Sequence, residues 1–342
     1  MIRPVLNPPN PWHSTLVDWE GEAPHVKLQV FEEEAKSILS RHESPDLNFR
    51  WSINPYRGCY HGCTYCYARP YHHYLDMGAG TDFERKIIVK INAATLLRKA
   101  FDKASWQGET LVFSGVTDCY QPLEAAYGIT RQCLELCLKY KNPVGIITKG
   151  ANVICRDMDL LRQLAKVSGL SVFFSIPFSD NETGRIFEPF ASPIERRFAV
   201  LAELSQAGIE TGVSLAPIIP GVNDNMIPTI LEQASDAGAK HAFMTLLRLP
   251  ASVEPYFFAS LKQSMPMRQS KVQNALMSLR KGKTSSAAFH ERMQGSGKRW
   301  SMIEQLFKNH CARLGINKNE VGIAHKRDSF ERPFEQLNLI AT

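Results

Sequence analysis

The chain has 342 residues, of which 44% are hydrophobic and 22% charged, with a formal net charge of +6. This balance is typical of a globular protein with a sizeable core, and it excludes wholesale disorder. The Pro-rich start, MIRPVLNPPNPWHST, has no apolar run suited to a signal peptide, and no later segment approaches membrane-spanning length. We therefore expect a cytoplasmic protein with no membrane partner, in which the eight cysteines stay reduced.

From about residue 50, short apolar or β-branched runs alternate with helical patterns. The candidate strands are FRWSI before the cysteines, TLVFS from Thr110, VGIIT from Val144, SVFFS from Ser171, TGVSL from Thr211 and HAFMTLL from His241. The last five begin roughly 30 residues apart, a spacing typical of repeated βα units with a parallel sheet. We predict an α/β fold: a partial (β/α)6 barrel over 49–258, an N-terminal extension over 1–48, and a basic, mostly helical C-terminal segment over 259–342.

Polar segments follow the predicted strands. They are the cysteine-rich loop after the first strand, then SGVTD, TKG, SIPFSDNETG, APIIPGVND and RLP. The carboxyl ends of parallel strands meet at one edge of a barrel, and reactive groups gather there. The helix after Gly128 instead carries Cys133 and Cys137 on an apolar stripe, which predicts that both thiols lie in the core.

Three cysteines lie close together in GCYHGCTYCYARP at residues 58–70. Cys59, Cys63 and Cys66 have the spacing C-x₃-C-x₂-C, and the next thiol is Cys119. A structural zinc site needs four ligands, which His61, His72 or His73 could complete, although a second ligand pair is lacking. An iron–sulfur cluster held by three thiolates has one iron open to a substrate or cofactor. These residues thus leave three alternatives: an enzyme, a zinc-stabilised nucleic-acid-binding protein without catalysis, and an iron–sulfur electron-transfer protein.

This loop, at the end of the first strand of a βα barrel, resembles that of the radical S-adenosylmethionine (SAM) superfamily. The resemblance extends to the branch related to spore photoproduct lyase, often labelled DNA repair photolyase-like, over about residues 44–300. It rests on SPDLNFRWSINPYRGCYHGCTYCYARPYH, FSGVTDCYQPLEAAYGITR, TKG, RDMDLL, APIIPGVND and LRLP. It implies a [4Fe–4S] cluster, an S-adenosyl-L-methionine molecule bound at the open iron, a low-potential electron donor, and a 5′-deoxyadenosyl radical that abstracts hydrogen.

The resemblance also implies roles for individual residues. Cys59, Cys63 and Cys66 would bind the cluster, and the predicted SAM contacts are Tyr65 and Tyr67 near the adenosine, Thr117 and Asp118 at SAM, Lys149 at the methionyl carboxylate, Ser175 at the ribose and Ala216 at the adenine. Each has a structural alternative. Asp118 could cap a turn, Lys149 could be an exposed turn lysine, and Ser175 could simply end a strand.

The chain departs from the lyase before Thr117 and Asp118. Where the lyase has a hydrogen-donating cysteine, this chain has Gly115 or Val116. Cys119 could substitute as the donor, or it could be a buried structural thiol. The reaction that follows radical formation is therefore open.

Positive charge is concentrated near the C-terminus. Residues 262–299 contain nine Lys or Arg and one acid, Glu291, a net charge of +8. A basic segment of this kind favours a polyanionic partner such as nucleic acid, and the alternative is a solvated surface.

Overall fold

The computed structural model describes residues 27–318 and 327–333. Part of the predicted N-terminal extension, residues 1–26, lies outside these ranges. So do residues 319–326 and 334–342 of the predicted C-terminal segment.

The described residues form strands and helices in alternation. The strands are β1 (Gln29–Glu33), β2 (Leu39–Arg41), β3 (Trp51–Ile53), β4 (Tyr56–Arg57), β5 (Lys86–Lys90), β6 (Leu111–Phe113), β7 (Val144–Thr148), β8 (Leu170–Ser175), β9 (Glu210–Ile218) and β10 (His241–Leu246). The α-helices are α1 (Thr81–Arg85), α2 (Ala93–Phe101), α3 (Glu124–Tyr127), α4 (Ile129–Lys139), α5 (Ala151–Ile154), α6 (Met158–Val167), α7 (Asn181–Phe187), α8 (Ile194–Gln206), α9 (Ile227–Asp236), α10 (Val253–Ser264), α11 (Pro266–Leu279) and α12 (Gly297–Leu314). Short 3₁₀ helices cover Arg69–Leu75, Cys155–Asp157, Asp224–Met226 and Arg327–Ser329. None of the helices in the described part of the chain is long and apolar enough to cross a membrane.

A seven-stranded sheet in the order β10-β9-β8-β7-β6-β3-β2 is the centre of the fold. Neighbouring strands from β3 to β10 pair in parallel, and β2 pairs antiparallel with β3 at one edge. Each predicted strand is one of these parallel strands, in the predicted order. The predicted partial (β/α)6 architecture is therefore confirmed, with an antiparallel edge strand added to it.

The core lies between this sheet and the helices that connect its strands. All residues of β8 are buried, as expected for a central strand of a parallel sheet. Cys133 and Cys137 of α4 are fully buried in the same core, which confirms the prediction from their apolar stripe.

A second, three-stranded sheet in the order β1-β5-β4 was not predicted. Nearly every side chain of β1 is exposed, so no alternation of apolar and polar residues marks this strand in the sequence. Its pairing with β5 runs from Gln29 opposite Lys86 to Glu33 opposite Lys90. Both β1 and β2 thus pair with strands beyond residue 48, and the proposed boundary there stays a prediction.

The C-terminal segment is helical, as predicted. α12 packs against α9 and buries Trp300, Ile303, Phe307 and Cys311, which share one helix face. The proposed boundary after residue 258 falls inside the continuous helix α10. This division of the chain also stays a prediction.

The turn after β7 depends on a glycine that packs directly on the neighbouring loop. A Cβ atom at Gly150 would lie 2.1 Å from the backbone oxygen of Tyr120. We expect Gly150→Ala to lower the free energy of unfolding by at least about 3 kcal/mol, because a backbone carbonyl cannot rotate away as a side chain would.

The matched control is Gly128→Ala. Gly128 has a φ of +63° and open space around its Cβ position, so this change tests backbone strain alone, which costs about 1 kcal/mol. Urea unfolding followed by circular dichroism measures both variants. If both variants lose the same free energy of unfolding, the close contact at Gly150 is contradicted.

Candidate active site

The three clustered cysteines lie in the loop that follows β4, at the carboxyl end of β3. Cys59 and Cys63 are buried and Cys66 is half-buried. The backbone N–H of Cys59 donates to the oxygen of Phe83 at 2.9 Å, and that of Cys66 donates to the oxygen of Cys63 at 3.3 Å. Gly58, with a φ of +78°, allows the chain to turn into the loop at a point where a Cβ atom would clash with Phe83.

The three thiols lie close enough to affect one another electrostatically. Burial raises the pKa of Cys59 well above its usual value, and Asp118, Cys63 and Cys66 raise it further. Burial raises the pKa of Cys63 to about 12, against an opposing effect of Lys149. Free thiolates are therefore unfavourable here, and a bound cation would stabilise them.

A buried arginine, Arg69, holds the loop from inside. Its guanidinium is fully buried and pairs with the carboxylate of Glu84 at 2.7 Å. The ring of Tyr256 lies 4.1 Å from it. The same guanidinium donates hydrogen bonds to the backbone oxygens of Gly62, Cys63, Ala79 and Gly80. One side chain therefore holds two backbone segments together: the one that ends at the second cysteine and the one that precedes α1.

Two amide side chains connect this loop to the turn after β6. Gln121 is fully buried, accepts from the backbone N–H of Tyr60 at 3.0 Å and donates to the oxygen of Gly58 at 3.2 Å. Asn54 accepts from the backbone N–H groups of Val116 and Thr117 at 3.0 and 3.2 Å. The predicted SAM contact Thr117 donates its own hydroxyl to the oxygen of Tyr56 at 3.0 Å.

Asp118 connects the cysteine loop to the end of β7. Its carboxylate accepts from the hydroxyl of Thr148 at 2.6 Å and from the backbone N–H groups of Lys149 and Tyr120 at 2.7 and 2.9 Å. It also lies 3.3 Å from Nδ1 of His61. Burial would raise the pKa of Asp118, but His61 and these hydrogen bonds outweigh burial and lower it to about 2.

Lys149 belongs to a buried group of charges beside Cys63. Its Nζ lies 3.9 Å from the carboxylate of Glu188, which follows α7, and 5.8 Å from the centre of the Tyr65 ring. The hydroxyl of Tyr65 donates to Glu188, and Arg197 of α8 pairs with Glu188 at 2.6 Å. Burial would lower the pKa of Lys149, but Cys63 and Glu188 raise it above its usual value.

Ser175 and Ala216 are neighbours at the ends of β8 and β9. The hydroxyl of Ser175 donates to the oxygen of Ala216 at 3.4 Å. Arg197 donates to the backbone oxygen of Ser175 at 2.9 Å, and so joins this pair to Glu188. The structure thus brings most predicted site residues into one connected network around the cysteine loop.

Two predicted residues stand apart from that network. The hydroxyl of Tyr67 donates to the oxygen of Gly115, and Arg248 lies 5.6 Å from the centre of the Tyr67 ring. Cys119 is fully buried, and its backbone bonds to the side chains of Ser114 and Thr130. This burial favours the structural alternative for Cys119 over the role of hydrogen donor.

Sequence reasoning missed three residues that organise the site: Arg69, Gln121 and Glu188. Arg69 lies three residues after the last cysteine, and this proximity was an available signal. The helical pattern around Arg197 favours a solvated face, but the structure buries this side chain. Glu188, which follows α7, lies far from the cysteines along the chain, and only tertiary structure brings it to Tyr65 and Lys149.

Two of the three histidines that could complete a zinc site have other partners. His61 faces Asp118, and Nε2 of His72 lies 3.0 Å from the oxygen of Lys86. In the part of the chain that the structure describes, no group of three or more His, Cys, Asp or Glu, the three cysteines included, is arranged to hold a metal ion. Three thiols in one loop remain the donor type that iron–sulfur clusters use.

The basic segment 262–299 does not present all of its charge to solvent. Arg280 is buried and donates to the oxygens of Thr284 and Arg292 at 2.8 and 3.1 Å. Arg292 pairs with Asp46 at 2.6 Å, and Arg299 pairs with Asp224 at 3.2 Å. Several charges of the segment therefore serve the fold, and its contact with a polyanion stays a prediction.

A cysteine loop at the carboxyl end of a parallel strand, surrounded by buried charges, defines an α/β protein with a candidate metal-cofactor site. Residues 53–234 match the family model of the Radical SAM superfamily. The match covers more than half of the 342 residues, and the chain belongs to this superfamily.

The chain is also similar to several uncharacterized proteins. One from Mycobacterium tuberculosis is 34% identical over 222 residues, which cover 64% of this chain and 65% of that protein. One from Methanocaldococcus jannaschii is 29% identical over 198 residues, which cover 58% of this chain and 71% of that protein. The matched region thus spans just under two thirds of the mycobacterial relative.

Solved structures of spore photoproduct lyase share the fold. The complex with dinucleoside spore photoproduct has a TM-score of 0.58 and 13% sequence identity, and the match covers 84% of this chain and 80% of that one. A mutant of that lyase with bound AdoMet has a TM-score of 0.58 and 14% identity. At such low identity, this similarity concerns the fold alone.

The buried pair of Arg69 and Glu84 generates a stability prediction. We expect Arg69→Met to lower the free energy of unfolding by about 3–5 kcal/mol, because Glu84 is left as a buried charge without its partner. Iron bound after reconstitution should fall as well, because the loop backbone loses its donors. Thermal unfolding and iron analysis measure the two effects.

Two further variants separate this effect from the general loss of an ion pair. Arg57→Met removes the half-exposed pair with Glu33 and should cost no more than about 1 kcal/mol. Adding Glu84→Gln to Arg69→Met should restore part of the stability but not the iron content. A loss no larger than that of Arg57→Met would contradict the role of Arg69.

Proposed function

We propose that the protein is a radical SAM enzyme in which Cys59, Cys63 and Cys66 bind a [4Fe–4S] cluster with one open iron. The observation that carries the proposal is the position of these three thiols in one buried loop at the carboxyl end of β3, with the cations Lys149 and Arg197 near Cys63. Membership of the superfamily supports it. A bound cluster of this kind, reduced by a low-potential electron donor, supplies the electron that cleaves SAM to methionine and a 5′-deoxyadenosyl radical.

The residues around the loop would orient SAM. Lys149 is the cation for the methionyl carboxylate, because Glu188 neutralises only one of the two cations that contact it. Tyr65 and Tyr67 would border the adenosine, with the Ser175 hydroxyl at the ribose and the Ala216 backbone at the adenine. Thr117 and Asp118 already bond to protein groups, which favours a role in positioning the turn after β6.

We propose nucleic acid as the substrate class. Spore photoproduct lyase, with the same fold, has been solved with a dinucleoside photoproduct, and lysines of the basic segment such as Lys262, Lys271 and Lys298 are exposed. The absence of a thiol at Gly115 and Val116 argues that the fate of the substrate radical differs from that in the lyase. The burial of Cys119 supports the same view.

The cluster can be tested directly. After anaerobic reconstitution with iron and sulfide and reduction with dithionite, we expect the full chain to convert SAM to 5′-deoxyadenosine, measured by chromatography. Cys63→Ala should lose both the cluster absorbance and the product, because the loop then offers only two thiolates.

Cys133→Ala is the matched control. It removes a buried thiol of α4 outside the loop, so its cluster and its product should persist. Zinc in the wild-type protein, or iron without 5′-deoxyadenosine, would contradict the proposal. These two results correspond to the zinc-stabilised binding protein and the electron-transfer protein.

A change at Lys149 should weaken the use of SAM and leave the iron content unchanged. We expect Lys149→Met to keep the cluster absorbance and to weaken SAM use by about 10- to 150-fold, the range of a charge-assisted hydrogen bond. The apparent KM for SAM measures this effect. Arg197 still pairs with Glu188 in this variant, so no buried carboxylate is left alone.

The control for lost charge is Lys166→Met, on the exposed face of α6. It should leave the KM for SAM unchanged. If Lys149→Met instead loses as much iron as Cys63→Ala, Lys149 supports the loop and does not contact SAM.

A further inference from the structure

Arg248 is a cation that the fold leaves without an anionic partner. It lies just beyond β10 and is half-buried. Among the residues that the structure describes, no hydrogen bond or ion pair joins its guanidinium to another group. The centre of the Tyr67 ring lies 5.6 Å from it. The carboxylate of Asp46 also acts on its charge, but that carboxylate is paired with Arg292. Partial burial of an unpaired charge is unfavourable, so such a group is suited to an anionic ligand.

The neighbouring arginines do not share this property. Arg292 pairs with Asp46 at 2.6 Å, and Arg280 donates to two backbone oxygens. Both arginines maintain the fold beside Arg248. Arg248 therefore stays open to a ligand.

Arg248 lines a cleft of about 540 Å³ between the segment after β10 and the loop after α11. Lys283 is also in the lining, together with the hydroxyl residues Thr284, Ser285 and Ser286, and Glu254 is its acidic member. The cleft has the volume of a site for a small organic ligand. Its cations and hydroxyl groups match the hydrogen-bonding needs of a phosphate.

The walls of the cleft are fixed without using these cations. The backbone N–H of Leu249 donates to the hydroxyl of Ser285 at 3.3 Å, and Arg280 holds the oxygen of Thr284 at 2.8 Å. Arg248 and Lys283 are therefore not needed to close the loop over the cleft. Their charges are available to a bound molecule.

Two exposed aromatic rings follow the cysteine loop along the chain. Tyr71 and Tyr74, in the 3₁₀ helix Arg69–Leu75, are 50% and 77% exposed, with ring centres 6.4 Å apart. Tyr71 is close enough to Arg248 to raise its pKa, although burial and Arg292 together lower that pKa. Exposed tyrosines beside a cation are typical of surfaces on which unpaired bases stack.

We propose that the Arg248 cleft binds the phosphate of a nucleotide unit in single-stranded nucleic acid, with bases stacked on Tyr71 and Tyr74. A base reaches such rings only when it is unpaired, and stacking together with phosphate contacts reads little sequence. This inference deepens the proposed function by placing the substrate next to Tyr67 of the cysteine loop. The binding itself depends on neither SAM nor a reductant.

The test is fluorescence anisotropy of a labelled oligothymidylate of about 12 nucleotides, a length within the range such grooves cover, bound to the full chain after reconstitution. Arg248→Ala should weaken binding by about 10- to 150-fold. Arg248→Lys should restore part of the affinity, because a charge remains without the planar donor pair. Thymidine 5′-monophosphate should compete better than thymidine.

Lys166→Ala removes one exposed charge from α6, outside both the basic segment and the cleft lining, and should change affinity by no more than about threefold, as expected for a diffuse electrostatic effect. Equal losses in Arg248→Ala and Lys166→Ala would overturn the proposal, and so would the absence of oligothymidylate binding. If Arg248→Ala weakens only thymidine 5′-monophosphate, the phosphate site holds a free nucleotide and the nucleic-acid assignment is wrong. A failure to form 5′-deoxyadenosine would leave these measurements untouched, and so separates this inference from the proposed function.

Discussion

The buried ion pair between Arg69 and Glu84 is the constraint on which the cysteine loop depends. A loop that offers three thiols to a cofactor cannot also satisfy its own backbone with a regular hydrogen-bond ladder. Arg69 supplies the missing donors to four carbonyl oxygens, and Glu84 balances the charge that this introduces into the core. An ion pair of this kind adds little net stability compared with apolar residues of the same shape, but losing one partner is costly. Its contribution is therefore to hold one backbone conformation.

A second balance of charge surrounds Cys63. Lys149 and Arg197 bring two positive charges next to one carboxylate, Glu188, while Asp118 brings a second carboxylate near Cys59. Burial and neighbouring charges make isolated thiolates unfavourable at Cys59 and Cys63. The proposed cluster would supply the metal charge that stabilises thiolates in this surrounding. Glu188 also orients Tyr65, so the electrostatics and the geometry of the site share one residue.

The parts of this architecture that the sequence predicts are those carried by local patterns. The strands of the main sheet are continuous apolar runs at regular spacing, and the cysteines have a spacing that is typical of a metal site. The strand β1 lacks such a pattern because its side chains are exposed, and it was missed. Glu188 was missed for a different reason, because it is an ordinary charged residue in its own segment. The helical pattern around Arg197 favours a solvated face for the same reason. Their roles arise from the packing of α8 against α7 and β9, which no local pattern encodes.

The C-terminal segment shows why a count of charges does not describe a surface. Its net charge of +8 suggests a uniform basic face, yet Arg280 is buried and Arg292 and Arg299 are paired with acids from distant parts of the chain. The fold uses these long side chains to attach the helices to the barrel, because arginine can bond several carbonyl oxygens at once. Arg248 lies outside the counted segment and has no such task. A ligand would therefore meet the few cations that the fold does not use, and their position beside the cysteine loop matters more than the total charge.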